Sequence, residues 1–320
     1  MVAINLIIGF MMLVFGANFL VEGTVKLAKR FKLSTMMISM TIISIGTSMP
    51  ELAIACISSF KGSQITLSNN IGSNISTIAI SLGFTSIFYM VYIKKDVSKD
   101  IIKMLLIQII VVALLLIGNK LDYIDGLIFL GMFLIYMRHL IKNAKKIVDI
   151  KHEKDIIKQE QEMFEKADVL IRNSIITVII FILIGFVLLT FGGNMVVDAA
   201  IIIAKIFDLP EQFIAVTIVA FGTTLPELST AIVAAKKGEY DIIIGNLVGS
   251  GVSNILLIVG IAALIHPIYY TDVLLFQLGS MLLFGLMMYV LSKKGKVERS
   301  DGFTLIITYI LFVFMSLFIA

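Results

Sequence analysis

Long apolar runs separated by short polar clusters dominate the chain, and the short alternating segments of a barrel strand are not its pattern. A helix needs about 20 residues to cross the hydrocarbon core of a bilayer. Ten runs fall near that length: about 2–25, 34–60, 66–93, 101–118, 122–141, 173–204, 211–235, 241–265, 271–292 and 303–320. Backbone exposed to lipid must satisfy its own hydrogen bonds, so these runs are read as helices. The expected fold class is all-α membrane, with ten transmembrane helices. The first run has no basic segment before it and no small-residue cleavage site, so it is read as a spanning helix and not a cleaved signal.

Composition agrees with the pattern. The 320 residues are 59% hydrophobic and only 15% charged, with a mean hydropathy of +1.03, outside the range of soluble domains. Of the 26 lysines and arginines, 23 fall in the loops after runs 1, 3, 5, 7 and 9 or in their flanks; only Lys61, Lys120 and Lys205 lie elsewhere. By the positive-inside rule both termini are expected outside the cell and the 142–172 segment in the cytoplasm. The net charge of +4 is then topological, with no nucleic-acid footprint. A single cysteine, Cys56, excludes an intrachain disulfide and a multi-cysteine metal site. Trp is absent, so interfacial anchoring falls to tyrosines such as Tyr92, Tyr123, Tyr269 and Tyr270.

The chain also repeats itself. A shift of 176 residues aligns IIGFMMLVFGANFLVEG with LIGFVLLTFGGNMVVDA and TIISIGTSMPELA with TIVAFGTTLPELS; one extra residue near Glu239 makes the shift 177, after which NNIGSNISTIAISLG lies on NLVGSGVSNILLIVG. Each half holds five runs, an odd number, so the second enters the membrane from the opposite side. The expected architecture is a 5+5 inverted-topology repeat: 1–141, a charged linker 142–172, and 173–320. The linker is read as a solvated connector, with Glu162 and Lys166 at a spacing that supports a helix.

Two of the four prolines, Pro50 and Pro226, fall inside the repeated phrase, each with a glycine four residues before it. Proline removes a donor and clashes with the preceding turn, so helices 2 and 7 are expected to break there and free backbone carbonyls. Thr47, Ser48, Thr223 and Thr224 sit at the breaks, able to cap the restarting helix or to offer oxygen, and Glu51 and Glu227 follow the prolines. The next helix of each half adds Ser73 and Thr77, or Ser250 and Asn254, with Asn69 and Asn246 one turn earlier; Gly72 and Gly249 are expected to allow close helix approach. Carboxylates, hydroxyls, amides and carbonyls without His or Cys suit hard cations such as Na⁺ and Ca²⁺.

A carboxylate at a helix centre costs roughly 2.5–3.5 kcal/mol on insertion scales. No Lys or Arg is expected at that depth, so the natural partner is a bound cation; the alternative is that both glutamates stay protonated and bond across the helices. Glu22 and Asp198 match across the halves near the ends of helices 1 and 6, where they either guide ions or are simply solvated. His139, His152 and His266 lack metal-ligand neighbours and are assigned no site. Rival classes are a cation channel, an intramembrane hydrolase, for which no nucleophile with an oriented base is found, and a non-transporting scaffold.

The phrases GTSMPE and GTTLPE, followed by GSNIST and GSGVSN, closely resemble the two α-repeats of the sodium/calcium exchanger family, within the cation/calcium exchanger superfamily, over nearly the whole chain. The resemblance implies exchange of Na⁺ for Ca²⁺ by alternating access, commonly three for one, with helices 1 and 6 sliding across an eight-helix core. It places Glu51 and Glu227 as central ligands of calcium. It puts Thr47, Ser48, Thr223, Thr224, Ser73 and Ser250 around flanking sodium sites, with the carbonyls of Ser44 and Ala220 where the helices unwind. Thr77 and Asn254 stand where the family usually has Asn and Asp, which opens the stoichiometry and cation preference, with H⁺/Ca²⁺ or K⁺-dependent exchange as alternatives. No enzyme activity, organic cofactor or obligatory protein partner is implied, and a monomer holds both half-sites.

Overall fold

The computed structural model describes residues 2–31, 33–60, 65–147, 175–206, 220–270 and 272–319. The first half comprises α1 (Val2–Phe31), α2 (Thr35–Thr47), α3 (Met49–Phe60), α4 (Leu67–Phe88), α5 (Ser98–Gly118) and α6 (Tyr123–Ile147). The second comprises α7 (Ile175–Ile206), α8 (Ala220–Thr223), α9 (Leu225–Lys236), α10 (Tyr240–Ile265), α11 (Asp272–Lys294) and α12 (Arg299–Ile319). Among the described residues eight helices are long and apolar enough to cross a membrane, or nine spans if the bent pair α2 and α3 is counted as one. The expected span 211–235 is described only from Ala220 onward, and the Glu162 and Lys166 pairing of the linker lies outside the described residues.

Several boundaries differ from the sequence reading. Helix α1 continues to Phe31 and α6 to Ile147, past the expected ends at 25 and 141. Apolarity marks where lipid ends, not where a helix does, and lysines and arginines in a last turn favour its continuation by facing the negative end of the helix dipole. The run 66–93 stops being helical at Phe88, because Val91 and Tyr92 form a short strand, β1 (Val91–Tyr92). Three more two-residue strands follow: β2 (Lys120–Leu121), β3 (Ile268–Tyr269) and β4 (Lys296–Val297). Strand β1 pairs antiparallel with β4, and β2 with β3. The all-helical expectation is thus amended at four loops, where backbone groups at the helix ends find partners across the molecule.

Position in the fold follows from burial. In α4 and α10, 78% of the most apolar window is buried, against 17–44% in the six other long spans, so these two helices form the centre. Each is packed against the other half of the chain as well as its own. Gly83 of α4 meets Gly302 of α12, and Gly260 of α10 meets Gly126 of α6, at distances that leave no room for a larger residue at 126 or 302. Helices α1 and α7 lie against each other along their length and meet the remainder chiefly through α2, α8 and α9. Their crossing is made by Gly9 against Gly192 and Gly16 against Gly185, where an added Cβ would come 2.8–3.0 Å from a backbone oxygen. Small residues let membrane helices approach this closely.

Candidate functional site

Helices α2 and α3 meet at Ser48 with a bend of 45°. Pro50 has no N–H to offer the carbonyl of Gly46, which is why the ladder yields there. The expected unwinding is only a bend. Ser44 lies in a helical turn, and its carbonyl accepts from the Ser48 N–H (3.2 Å) and the Thr47 hydroxyl (3.5 Å). The matching break is at Thr224, between α8 and α9, with Ala220 opening α8. Neither break is capped as the sequence suggested: Thr224 makes no side-chain cap bond, and the Ser48 hydroxyl is buried without a partner.

The two carboxylates lie just beyond these bends and are sealed from solvent, Glu51 at 1% and Glu227 at 2% exposure. Hydroxyls from both halves converge on them. Ser73 of α4 donates to Glu51 Oε1 (3.2 Å), and the Thr223 hydroxyl of α8 lies 3.5 Å from the Ser73 hydroxyl. Thr47 of α2 reaches Asn246 Oδ1 of α10 (3.3 Å), to which Ser250 also donates (3.5 Å). One oxygen of each carboxylate, Glu51 Oε2 and Glu227 Oε2, is buried with no hydrogen-bond partner. Among the described residues no third acidic, His or Cys side chain gathers with them. Buried, unpartnered carboxylate oxygens are costly unless a positive charge meets them.

Thr77 and Asn254 are buried too, and each opens a π-helical turn, Thr77–Leu82 in α4 and Asn254–Val259 in α10. Such turns, matched across the halves 177 residues apart, widen the helix and recur at functional sites. Gly249 is pressed onto the Met40 and Ser44 backbone and side chain, as expected. Gly72 lies in the first part of α4, against which α8 packs, and the repeat mate of Met40, at 216, lies outside the described residues. Glu22 is not simply solvated but pairs with Lys237 at 2.9 Å.

One residue of this cluster was not singled out in the sequence. Asn74 of α4 accepts a hydrogen bond from Asn254 Nδ2 (3.1 Å) and donates to the Gly251 carbonyl (3.4 Å). It stands inside the GSNIST phrase, but its mate in the other half is Gly251, so a search for duplicated polar positions passes over it.

Comparison with known proteins agrees with this arrangement. The chain is 28% identical over 306 residues to the membrane protein MJ0091 of Methanocaldococcus jannaschii, covering 95% of this chain and 94% of that one. It is 25% identical over 350 residues to the sodium/calcium exchanger MaX1 of Methanosarcina acetivorans, over the full length of both. A solved structure of the sodium-calcium exchanger NCX_Mj, soaked with Na⁺ and Ca²⁺, superposes with a TM-score of 0.81 at 27% identity, covering 97% of this chain and 96% of the other. With residues 1–142 and 177–318 matching the family defined by the sodium/calcium exchanger protein, this membrane chain belongs to that family.

Proposed function

We propose that the protein is a secondary antiporter that exchanges Na⁺ for Ca²⁺ by alternating access through one central site built from two related half-sites. The observation that carries this reading is the pair of buried carboxylates, each with one unpartnered oxygen, set where hydroxyls from both halves of the chain meet. Glu51 and Glu227 supply the charge. Thr47, Ser48, Ser73, Thr223, Thr224 and Ser250 supply neutral oxygens, Thr77 and Asn254 complete the flanks, and the Ser44 and Ala220 carbonyls are the outermost contributors. Two carboxylates neutralise one Ca²⁺ or two Na⁺, so a third Na⁺ would enter as uncompensated charge. With three Na⁺ per Ca²⁺, one net charge crosses per cycle, worth about 2.3 kcal/mol per 100 mV.

Several features support the 5+5 inverted repeat that alternating access uses. Counting α2 with α3 and α8 with α9 as one span each, β1 and β4 follow the third and ninth spans, and β2 and β3 the fourth and eighth. Each pairing then joins loops on one side of the membrane. The repeat carries β1 onto β3 and β4 onto β2, so the two pairings are images of each other. In this reading α1 and α7 slide as a glycine-packed pair across the remaining helices, both termini lie outside, and one chain suffices without an organic cofactor or a protein partner.

The test is ⁴⁵Ca²⁺ uptake into proteoliposomes loaded with Na⁺, against K⁺-loaded and acid-inside vesicles. Uptake that requires internal Na⁺ is expected. Uptake driven only by protons or K⁺ would replace Na⁺ as the counter-ion, and flux that needs no counter-ion and shows no trans-stimulation would mark a channel.

A further inference from the structure

The half-sites are not equivalent, and the difference centres on Asn74. Its repeat mate, 177 residues on, is Gly251. The two positions face each other: Asn74 Nδ2 donates to the Gly251 carbonyl at 3.4 Å and to Met281 Sδ at 3.8 Å. Met104, the mate of Met281, closes over Gly251 so tightly that a Cβ there would lie 2.5 Å from its sulfur. A side chain at 251 would strike Met104, so the second repeat has no counterpart of the Asn74 amide.

These contacts dictate which way two amides point. A backbone carbonyl and a thioether only accept hydrogen bonds. Asn74 must therefore turn its NH₂ to Gly251 and Met281, which leaves its oxygen facing Asn254. That oxygen needs a donor, so Asn254 turns its own NH₂ toward Asn74, at 3.1 Å. Asn254 Oδ1 is then left on the far side of the amide, buried and without a partner. Both side chains are shut away from solvent, Asn74 at 2% and Asn254 at 1% exposure, so no water competes for these bonds.

We infer that Asn74 is a positioning residue: it holds Asn254 with its carbonyl oxygen free for the transported cation and makes position 254 one that takes a neutral, hydrogen-bond-donating side chain. The inference rests on the exchange reading above and refines it. An ionised carboxylate at 254 would set acceptor against acceptor where the amide bond now lies. Among the described residues Thr77, the mate of Asn254, has no such amide opposite it, because the residue standing there in the repeat is glycine. The two flanks of the site are thereby held differently.

The test is a double-mutant cycle with Asn74→Ala, Asn254→Ala and the double variant, reading initial rates of ⁴⁵Ca²⁺ uptake into Na⁺-loaded proteoliposomes over a range of Ca²⁺. Losing one neutral hydrogen bond is worth a change of about fivefold. Asn74→Ala is expected to raise the apparent KM for Ca²⁺ by that order with the maximal rate little changed. Asn254→Ala should raise KM at least as much, and the double variant should match Asn254→Ala alone, because Asn74 acts only through Asn254. A wild-type KM in Asn74→Ala, or penalties that multiply in the double variant, overturns the inference. If the wild type takes up no Ca²⁺, the exchange reading fails separately. The same cycle is then scored by the protection that Na⁺ or Ca²⁺ gives the detergent-solubilised protein against heat. Protection undiminished by Asn74→Ala, or diminished equally in the Asn254→Ala background, again overturns the inference, and protection by neither cation overturns it together with the exchange reading.

Discussion

Gly249 of α10 is pressed against α2, so alanine there should act through packing. At Gly249 the added Cβ would come 2.6 Å from the Ser44 Cβ and Oγ and 2.7 Å from the Met40 Cα. That is about 0.8 Å short of a comfortable carbon contact of ~3.5 Å. Two of these atoms belong to or adjoin the backbone, so relief requires α2 and α10 to move apart. Overpacking of this kind costs about 1–3 kcal/mol. Alanine gains back about 1 kcal/mol of helix propensity over glycine. Gly249→Ala is thus expected to be destabilising by up to about 2 kcal/mol. The effect reaches function, because moving α2 from α10 separates Thr47 from Asn246. The assay is the heating temperature at which half the monodisperse size-exclusion peak is lost, paired with uptake by reconstituted protein. Wild-type heat resistance and uptake in Gly249→Ala would refute the packing argument.

Three further outcomes follow from the same geometry. Glu51→Gln and Glu227→Gln should each lower Ca²⁺ exchange by about tenfold or more, since affinity for a hard cation tracks the charge of its ligands; exchange at wild-type level in either variant would remove that carboxylate from the site. Protons compete with cations for the same two carboxylates, so exchange should fall from neutral to mildly acid buffer, and a flat profile across that range would count against both being ligands. Asn254→Asp is expected to leave Ca²⁺ exchange without a large gain, because the added carboxylate would face Asn74 Oδ1; a large gain, measured as initial uptake rate, would show that position 254 is waiting for a charge.

The repeated phrase made the centre legible before any coordinates. Glu51 and Glu227 were identifiable because buried charge in lipid is expensive and duplicated charge is hard to explain as chance. Pro50 and Pro226 announced the helix breaks because a missing N–H is a covalent fact. The size of the break was not legible. Whether a helix unwinds or bends at a proline depends on what packs around it, and here the Ser44 carbonyl keeps its partners through a 45° turn. The ends of α1 and α6 were misplaced because hydropathy measures lipid contact, whereas the helical ladder runs on into water.

What the sequence by itself determined is the class of protein and the chemistry at its centre: apolar runs of spanning length, two matching halves, and oxygen-bearing residues at matched positions within each. These are local and periodic properties, set by the solvent each residue can tolerate and by spacing along one helix. That hydroxyls of both halves meet around the carboxylates was decided only by the tertiary structure. So were the pairing of β1 with β4 and β2 with β3, the crowded face of Gly249, and the contacts of Asn74. Each depends on contacts between residues more than a hundred positions apart, where two nearly identical phrases meet different neighbours. Sequence symmetry predicts like for like, and packing breaks it wherever one half must fill the space the other leaves.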